Sequence, residues 1–256
     1  MKSILSFLVL ILLSTQVFAF SKAEDATYDK LFPYYAEPCA GSQQNPVKGE
    51  SGGPYGHVAL YVRGACRDTS KDYPQIKMCD GDGGVGVSLD AVYENVKWVA
   101  VDDKDLFFNG GVSDSEPLDD ATIARTAQEA IRRGIFKNVH PQAKFNIPIS
   151  QHEQWLAEEG ISTDFALNFQ RHFRCAKIPM NRDQIQKMVV ELNKMNNDYY
   201  LTGKKFAWSM TRDNCADLVH NALAAAGVWG YKKINASTPI GVVTNLALPL
   251  NEWIDA

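Results

Sequence analysis

Residues 214–226 read NCADLVHNALAAA, and the organisation of the chain is most easily worked out from them. Asp213 or Asn214 can cap a helix here, because either side chain can accept a hydrogen bond from the first turn. Apolar residues recur at helical spacing behind this cap, and Gly227 occupies the position where a left-handed residue commonly ends a helix. The sequence therefore predicts a helix with Cys215 in its first turn.

This position gives Cys215 a possible chemical purpose. The partial positive charge of a helix N-terminus favours thiolate over thiol, and a thiolate is the nucleophile in acyl transfer. The sulfur is expected to face the layer on which the helix packs, because several apolar residues share its side: Leu218, Val219, Ala222, Leu223 and Ala226. A small buried cysteine, or a disulfide to Cys175, is the alternative interpretation, and the residues alone leave it open.

A nucleophilic thiol needs a base within hydrogen-bond reach. His220 lies on the same predicted helix, but five residues place it roughly 140° round the axis and about 7.5 Å along it, so it cannot meet the sulfur. His57 is the better candidate because it opens a predicted strand, residues 57–63 (HVALYVR), that ends before Gly64. A histidine that only begins a strand is the alternative.

Alternation along this strand separates two faces. The face of Val58, Leu60 and Val62 is wholly aliphatic and is predicted to be core. The other face places the small Ala59 next to His57, which leaves room for another element to approach closely.

The remaining pattern predicts an α+β fold. Two further strands are expected at residues 85–89 and 96–101, and residues 20–53 are expected to be mostly loop. Helices are predicted from Asp119 or Asp120 to Gly134, after Asn181, and, shorter, over residues 151–159 and 163–170. Strands early in the chain and helices late, without regular alternation, indicate the α+β class.

The N-terminus predicts export. Lys2 precedes an apolar run (ILSFLVLILL), and Val17-Phe18-Ala19 fits a signal peptidase site, so residues 1–19 are predicted to be a cleaved signal peptide. A membrane anchor is the alternative, but the run is short for a span. We expect a single domain over residues 20–256, located in the periplasm or secreted.

The cysteine count agrees with an oxidising compartment. There are five cysteines, so at least one is unpaired or pairs with another chain. Cys39, Cys66 and Cys79 lie in turn-rich stretches, where disulfides are common, and Cys215 does not.

Composition and spacing exclude several classes of partner. The net charge of −4 and the lack of a basic cluster argue against nucleic acid. No Cys or His pair has zinc-ligand spacing, and the acidic turn beginning at Asp80 has Ala91 where a calcium loop needs its twelfth-position Glu. We therefore expect neither a metal nor a cofactor.

Two segments together resemble a known family. Residues 55–62 (YGHVALYV) on a strand, followed much later by residues 213–219 (DNCADLV) on a helix, resemble the circularly permuted papain-like thiol enzymes, in which His precedes Cys. This group includes relatives of lecithin:retinol acyltransferase, and the two segments are most similar to the periplasmic domain of Lnb-type lipoprotein N-acyltransferases. The resemblance implies a permuted papain-like core, with a small antiparallel sheet on the cysteine-bearing helix. Residues 103–180 would be a helical insertion that covers the site.

The resemblance also implies roles for individual residues. Cys215 matches the nucleophile and His57 the base, and the family places a third polar residue on a following strand. Ser88 is the nearest positional match for that residue, with Asp90 behind it. The candidates for the oxyanion or substrate side are the N–H of Cys215 and the side chains of Tyr55, Asn214, Tyr199 and Tyr200.

The implied reaction is acyl transfer through a thioester on Cys215. The expected substrate is a lipid or lipoprotein acyl group, handled by a monomer for which peripheral contact with a membrane surface stays open. A cysteine peptidase or amidase acting on cell-wall peptides is one alternative. A secreted, disulfide-braced binding domain without enzymatic activity is the other.

Overall fold

The structure is a computed structural model that describes residues 22–41, 57–79, 82–113, 116–169, 173–209 and 213–229. The chain divides into two compact units, residues 1–31 and 32–256. The described part of the first unit is helix α1 (Lys22–Leu31). The predicted signal peptide, residues 1–19, lies outside the described residues.

The described part of the second unit contains eight strands. They are β1 (Tyr35–Gly41), β2 (His57–Arg63), β3 (Ala65–Arg67), β4 (Ile76–Met78), β5 (Gly84–Ser88), β6 (Val99–Val101), β7 (Phe173–Cys175) and β8 (Ile178–Pro179). Strands β6, β5, β2, β1 and β7 lie side by side in that order, all antiparallel, and β8 also pairs with β1. Strands β3 and β4 form a separate hairpin.

Five helices of the described residues complete this unit. They are α2 (Lys104–Asn109), α3 (Asp120–Arg132), α4 (His152–Glu159), α5 (Arg182–Tyr200) and α6 (Cys215–Ala225), with 3-10 turns at Ala143–Phe145 and Ile149–Gln151. The predicted caps are confirmed, since Asp119, Asn181 and Asn214 each accept a hydrogen bond from their helix. The chain is therefore an α+β protein with a small antiparallel sheet, as expected.

Strand β2 lies at the centre of the sheet and is buried along its whole length. The predicted aliphatic face is core, and the face of His57, Ala59 and Tyr61 is buried as well. Helix α6 packs against β2 and against α5. On the face of Tyr61, Phe107 of α2 covers Gly86 of β5 so closely that a Cβ there would collide with its ring.

Asn196 on α5 explains why β6 is shorter than the strand predicted over residues 96–101. Its side-chain oxygen accepts hydrogen bonds from the backbone of Lys97 and Trp98, at 2.8 and 3.1 Å. Its amide nitrogen donates to the carbonyls of Pro74 and Trp98. The backbone before Val99 is therefore bound to a helix side chain and not to a neighbouring strand.

The prediction that residues 20–53 are mostly loop is wrong for the described part, which contains α1 and β1. Strand β1 contains Pro38, a residue that usually argues against an internal strand. Pro38 lies between the stretches of β1 that pair with β8 and with β7, so its missing N–H falls at a gap in the pairing. Tertiary pairing here overrides a weak local propensity.

The helix predicted over residues 163–170 is also wrong, since the described part of this segment forms turns. Ser162 and Ala166 have left-handed backbones, with φ of 68° and 52°, which interrupt any helix. The N–H groups of Ala166, Leu167 and Asn168 bond to the carbonyls of residues 106–108 in α2. Three backbone donors of this segment therefore satisfy carbonyls at the end of a short helix and are not used for a helix of the segment itself.

Two disulfides brace the second unit. Cys39–Cys175 joins β1 to β7, and Cys66–Cys79 closes the β3–β4 hairpin. Such bonds are typical of proteins that fold in an oxidising compartment. Within the part of the chain that the structure describes, no helix has the length and apolar character that a membrane span needs.

Candidate active site

Cys215 is the first residue of α6, and its thiol is free and buried. A capping box holds the helix start: the Asn214 side chain accepts from the Asp217 N–H at 2.9 Å, and the Asp217 carboxylate accepts from the Asn214 N–H at 3.2 Å. Cys175 is bonded to Cys39, which excludes the alternative of a disulfide between Cys175 and Cys215.

The surroundings of the sulfur favour the neutral thiol. Burial raises the pKa of Cys215 from 9.0 to about 11, and the nearby carboxylate of Asp217 acts in the same direction. Hydrogen bonding by the backbone of Val58, Ala216 and Cys215 itself lowers this pKa, but less than burial raises it. A helix N-terminus alone would favour the thiolate, so the burial of the sulfur outweighs the effect expected from sequence.

The contact with Val58 places the sulfur at the first residues of β2. Val58 follows His57 directly, and α6 packs against this strand. The sulfur of Cys215 and the residue His57 therefore both lie at the start of β2, although more than half of the chain separates them in sequence. His57 is buried, as is Cys215.

His57 has a defined partner on the next strand. Its Nε2 lies 2.9 Å from the Oγ of Ser88, the last residue of β5. The Ser88 hydroxyl also lies 3.0 Å from the carbonyl oxygen of Thr163, which can only accept. The Ser88 hydroxyl must donate its single hydrogen bond to the Thr163 carbonyl and must accept one from His57, so the proton of a neutral His57 is on Nε2. Nδ1 is then left with its lone pair, as a base requires.

Lys97 and Tyr199 fix the position of Asp213, just before the helix that carries the nucleophile. Asp213 forms a salt bridge of 2.8 Å with the buried ammonium of Lys97. Burial and then Asp213, which accepts a hydrogen bond from the Tyr199 hydroxyl, raise the pKa of Tyr199 to about 12. The start of α6 is thereby anchored to α5 and to the segment before β6. From the sequence, Asp213 was recognised only as a possible cap and Lys97 was missed. The two residues are 116 positions apart, so no local pattern indicates that they are in contact.

The segment of residues 160–169, here called the Thr163 segment, brings part of the predicted insertion to the site. Its Thr163 carbonyl accepts from Ser88, and its Asp164 is buried beside Tyr93. Burial, then the carboxylates of Asp164 and Asp90, raise the pKa of Tyr93 well above its usual value. Left-handed backbone at Ser162 and Ala166 costs energy, and such strain is common where a backbone group must be held in one place.

The other predicted site residues have different surroundings. Tyr55 lies outside the described residues. The ring of Tyr200 stacks on Tyr73 with centroids 4.0 Å apart, a packing contact beside the β3–β4 hairpin. Both the side chain and the N–H of Asn214 are engaged in the capping box, which gives this residue a role in holding the helix start.

One group of possible metal ligands occurs among the described residues. Glu37, Cys39 and Cys175 place their ligand atoms within 4.8 Å of one another. The two sulfurs are joined to each other in a disulfide, and a metal-binding cysteine must be a thiolate. The donor set therefore does not suit a metal ion.

Comparisons with protein-family models, with curated proteins and with solved structures find no match for this chain. The resemblance to permuted papain-like enzymes accordingly rests on the two short segments and their order. Function has to be inferred from the geometry of the site.

Proposed function

We propose that this protein is an exported cysteine-nucleophile enzyme that transfers or hydrolyses an acyl group through a thioester on Cys215. One observation carries the proposal: the hydrogen bonds from His57 to Ser88 and from Ser88 to Thr163 leave Nδ1 of His57 as the basic nitrogen. That base belongs to the same end of β2 whose backbone contacts the Cys215 sulfur. A core cysteine without a function has no need for an oriented imidazole nearby.

The reaction begins with the neutral thiol. Nδ1 of His57 takes the thiol proton while the sulfur attacks the carbonyl carbon of an ester or amide. The oxygen that gains negative charge is stabilised by N–H groups in the first turn of α6, such as those of Cys215 and Ala216, which contact the sulfur before the reaction. The leaving alcohol or amine takes the proton back from His57, and the acyl group is left on sulfur as a thioester.

A second half-reaction releases the enzyme. Water, an amine or a hydroxyl gives a proton to Nδ1 and attacks the thioester carbonyl, and the sulfur leaves and recovers the proton. With a pKa of about 11, the resting thiol is protonated at neutral pH, so proton transfer accompanies attack. This differs from the stable thiolate that a helix N-terminus by itself would favour.

The favoured substrate is a lipid or lipoprotein acyl chain. The polypeptide segment shortly before Cys215 contains two aromatic residues that suit an apolar substrate: Phe206, which is buried, and Trp208, which is partly exposed. Cys215 is not disulfide-bonded, which removes one form of the non-enzymatic binding domain, and the acylation test below distinguishes the other form, in which this cysteine is only buried. The resemblance to lipoprotein N-acyltransferases supports the lipid substrate over a cell-wall peptide.

The test is the mass of the acyl-enzyme. The protein is incubated separately with p-nitrophenyl octanoate, with a diacyl phospholipid and with a short cell-wall-type peptide, then digested and analysed by mass spectrometry. We expect an acyl adduct on Cys215 from the ester and the phospholipid, and none in Cys215→Ser. We also expect His57→Gln to slow acylation by about 10²–10⁴-fold, the usual contribution of a general base.

His140→Gln is the matched control, because His140 is an exposed histidine outside the site. An adduct on another residue, or acylation that His57→Gln leaves unchanged, would contradict the proposal. An adduct from the peptide alone would assign the protein to the amidases.

A further inference from the structure

The loop of residues 201–209 (LTGKKFAWS) follows α5 and leads towards the nucleophile. Two large apolar side chains project from it into solvent: Leu201 is 66% exposed and Trp208 is 43% exposed. Between them, the buried Phe206 contacts the ring of Tyr199 edge to face, at a centroid distance of 5.4 Å. The backbone N–H of Phe206 also donates to the carbonyl of Glu94 at 2.6 Å. The loop is thus anchored at Phe206, while Leu201 and Trp208 point outward.

The charge of this loop is one-sided. It contains Lys204 and Lys205, both exposed, and no acidic residue, although the whole chain carries a net charge of −4. Lys205 forms an ion pair with Glu94, and Lys204 lies over the ring of Tyr199, 5.1 Å from its centroid. The two exposed lysines therefore lie in the same nine-residue loop as the exposed Leu201 and Trp208.

The loop is also tied to the site. Ser209, the residue after Trp208, exchanges both backbone hydrogen bonds with Asp213, each at 3.2 Å. Asp213 lies two residues before Cys215 and is anchored by Lys97. Any partner that binds Trp208 therefore lies close to the start of the helix that carries the nucleophile.

We propose that the 201–209 loop is the surface by which this protein binds a lipid bilayer with anionic headgroups. Tryptophan is favoured at the level of the headgroups, lysine is attracted by anionic phosphates, and an exposed leucine gains energy by entering the acyl boundary. The positive charge of the loop, set in an acidic chain, is complementary to such a surface. The purpose of the binding rests on the proposed function, since a phospholipid or lipoprotein acyl donor is located in the bilayer.

The binding itself needs no chemistry, so it is tested with Cys215→Ser. Sedimentation is measured with vesicles of phosphatidylcholine alone and with vesicles that also contain phosphatidylglycerol. We expect binding to the anionic vesicles, weakened by salt, with about a fivefold loss of affinity for each of Lys204→Gln and Lys205→Gln. Leu201→Ser combined with Trp208→Ser should lower the affinity by at least tenfold. The blue shift of tryptophan emission on binding should be lost in Trp208→Phe.

Ile149→Ser is the matched control, because Ile149 is 83% exposed and lies on a separate 3-10 turn. The proposal is overturned if Ile149→Ser weakens binding as much as the loop variants, if neutral vesicles bind equally well, or if no vesicle binds. Acyl-enzyme formation without vesicle binding would refute the lipid surface and leave the proposed function intact. Vesicle binding without any acyl-enzyme would refute the proposed function and leave the lipid surface intact.

Discussion

Nε2 of His57 and Oγ of Ser88 lie 2.9 Å apart, across the neighbouring strands β2 and β5. The Thr163 carbonyl accepts the hydrogen bond of the Ser88 hydroxyl, so this contact determines which nitrogen of His57 carries its proton. The Thr163 segment thereby takes part in preparing the base, and does not only cover the site.

Ser88→Ala should therefore slow acylation of Cys215 without unfolding the protein. The variant removes the hydroxyl that accepts from Nε2 of His57, so the tautomer with a basic Nδ1 is no longer preferred. A preference of about 1–3 kcal/mol, the usual worth of such a buried hydrogen bond, corresponds to roughly 5- to 150-fold in rate. The measurement is the acylation rate as a function of pH. Ser88→Thr keeps the hydroxyl and should recover most of the rate, and an unchanged rate in Ser88→Ala would show that Ser88 does not orient the base.

The raised pKa of Cys215 predicts a loss of stability in alkaline solution. The thiol ionises near pH 9.0 in the unfolded chain and near pH 11 in the folded protein, so the unfolded state loses its proton first. The free energy of unfolding should fall between these two pH values, by about 2–3 kcal/mol, and the contribution of the thiol is fully present below pH 9.

Urea titrations of the wild type and Cys215→Ser at pH 8, 10 and 11 isolate this effect, because every other ionising group is common to both proteins. The difference in stability between the two should shrink as the pH rises. The alkylation rate of Cys215 in the folded protein should follow the same titration, and a midpoint below the ~8.5 of a free thiol would show that the helix N-terminus outweighs burial.

Asp213→Asn should destabilise the protein and slow the reaction of Cys215. It leaves the Lys97 ammonium, whose side chain is 7% exposed, without its carboxylate. We expect a loss of about 2–3 kcal/mol, below the ~3–5 of a fully buried pair because Asp213 is 34% exposed. Denaturant unfolding checks the stability, and the alkylation rate, measured where the variant is fully folded, checks the position of the nucleophile.

Lys187→Met provides the comparison for this charge pair. Lys187 and Asp183 form an ion pair on the exposed side of α5. Loss of this ion pair should change the free energy of unfolding by less than about 0.5 kcal/mol. Equal effects of the two substitutions would remove the special role given to Lys97 and Asp213.

The two disulfides should differ in what they contribute. Cys39 and Cys175 are separated by 136 residues, and Cys66 and Cys79 by 13. Chain entropy predicts that loss of the long-range bond costs about 5 kcal/mol and loss of the short one about 3 kcal/mol. Urea midpoints of the two paired Cys→Ser variants test this order, and the reverse order would indicate strong residual structure in the reduced chain.

Local pattern determined much of the fold in advance. Strand β2 follows from a run of β-forming residues between glycine-rich flanks, and α3, α5 and α6 follow from a cap with apolar residues at helical spacing behind it. These signals are local, because one face of each element must be buried and the cap residue is a neighbour of the helix that it serves. The misjudged segments, β1 and residues 163–170, owe their form to partners far away in the chain.

The site divides in the same way. The sequence pattern identified Cys215 at a helix start and His57 at a strand start, and the family resemblance added Ser88 as the positional match for a third residue. Only the tertiary structure identifies Thr163 and Lys97 as part of the site. Thr163 contributes a backbone carbonyl, which every residue has, and the partner of Lys97 is distant in sequence. The protonation of the thiol is likewise decided by tertiary structure, because helix position is local, whereas burial depends on every element packed around the sulfur.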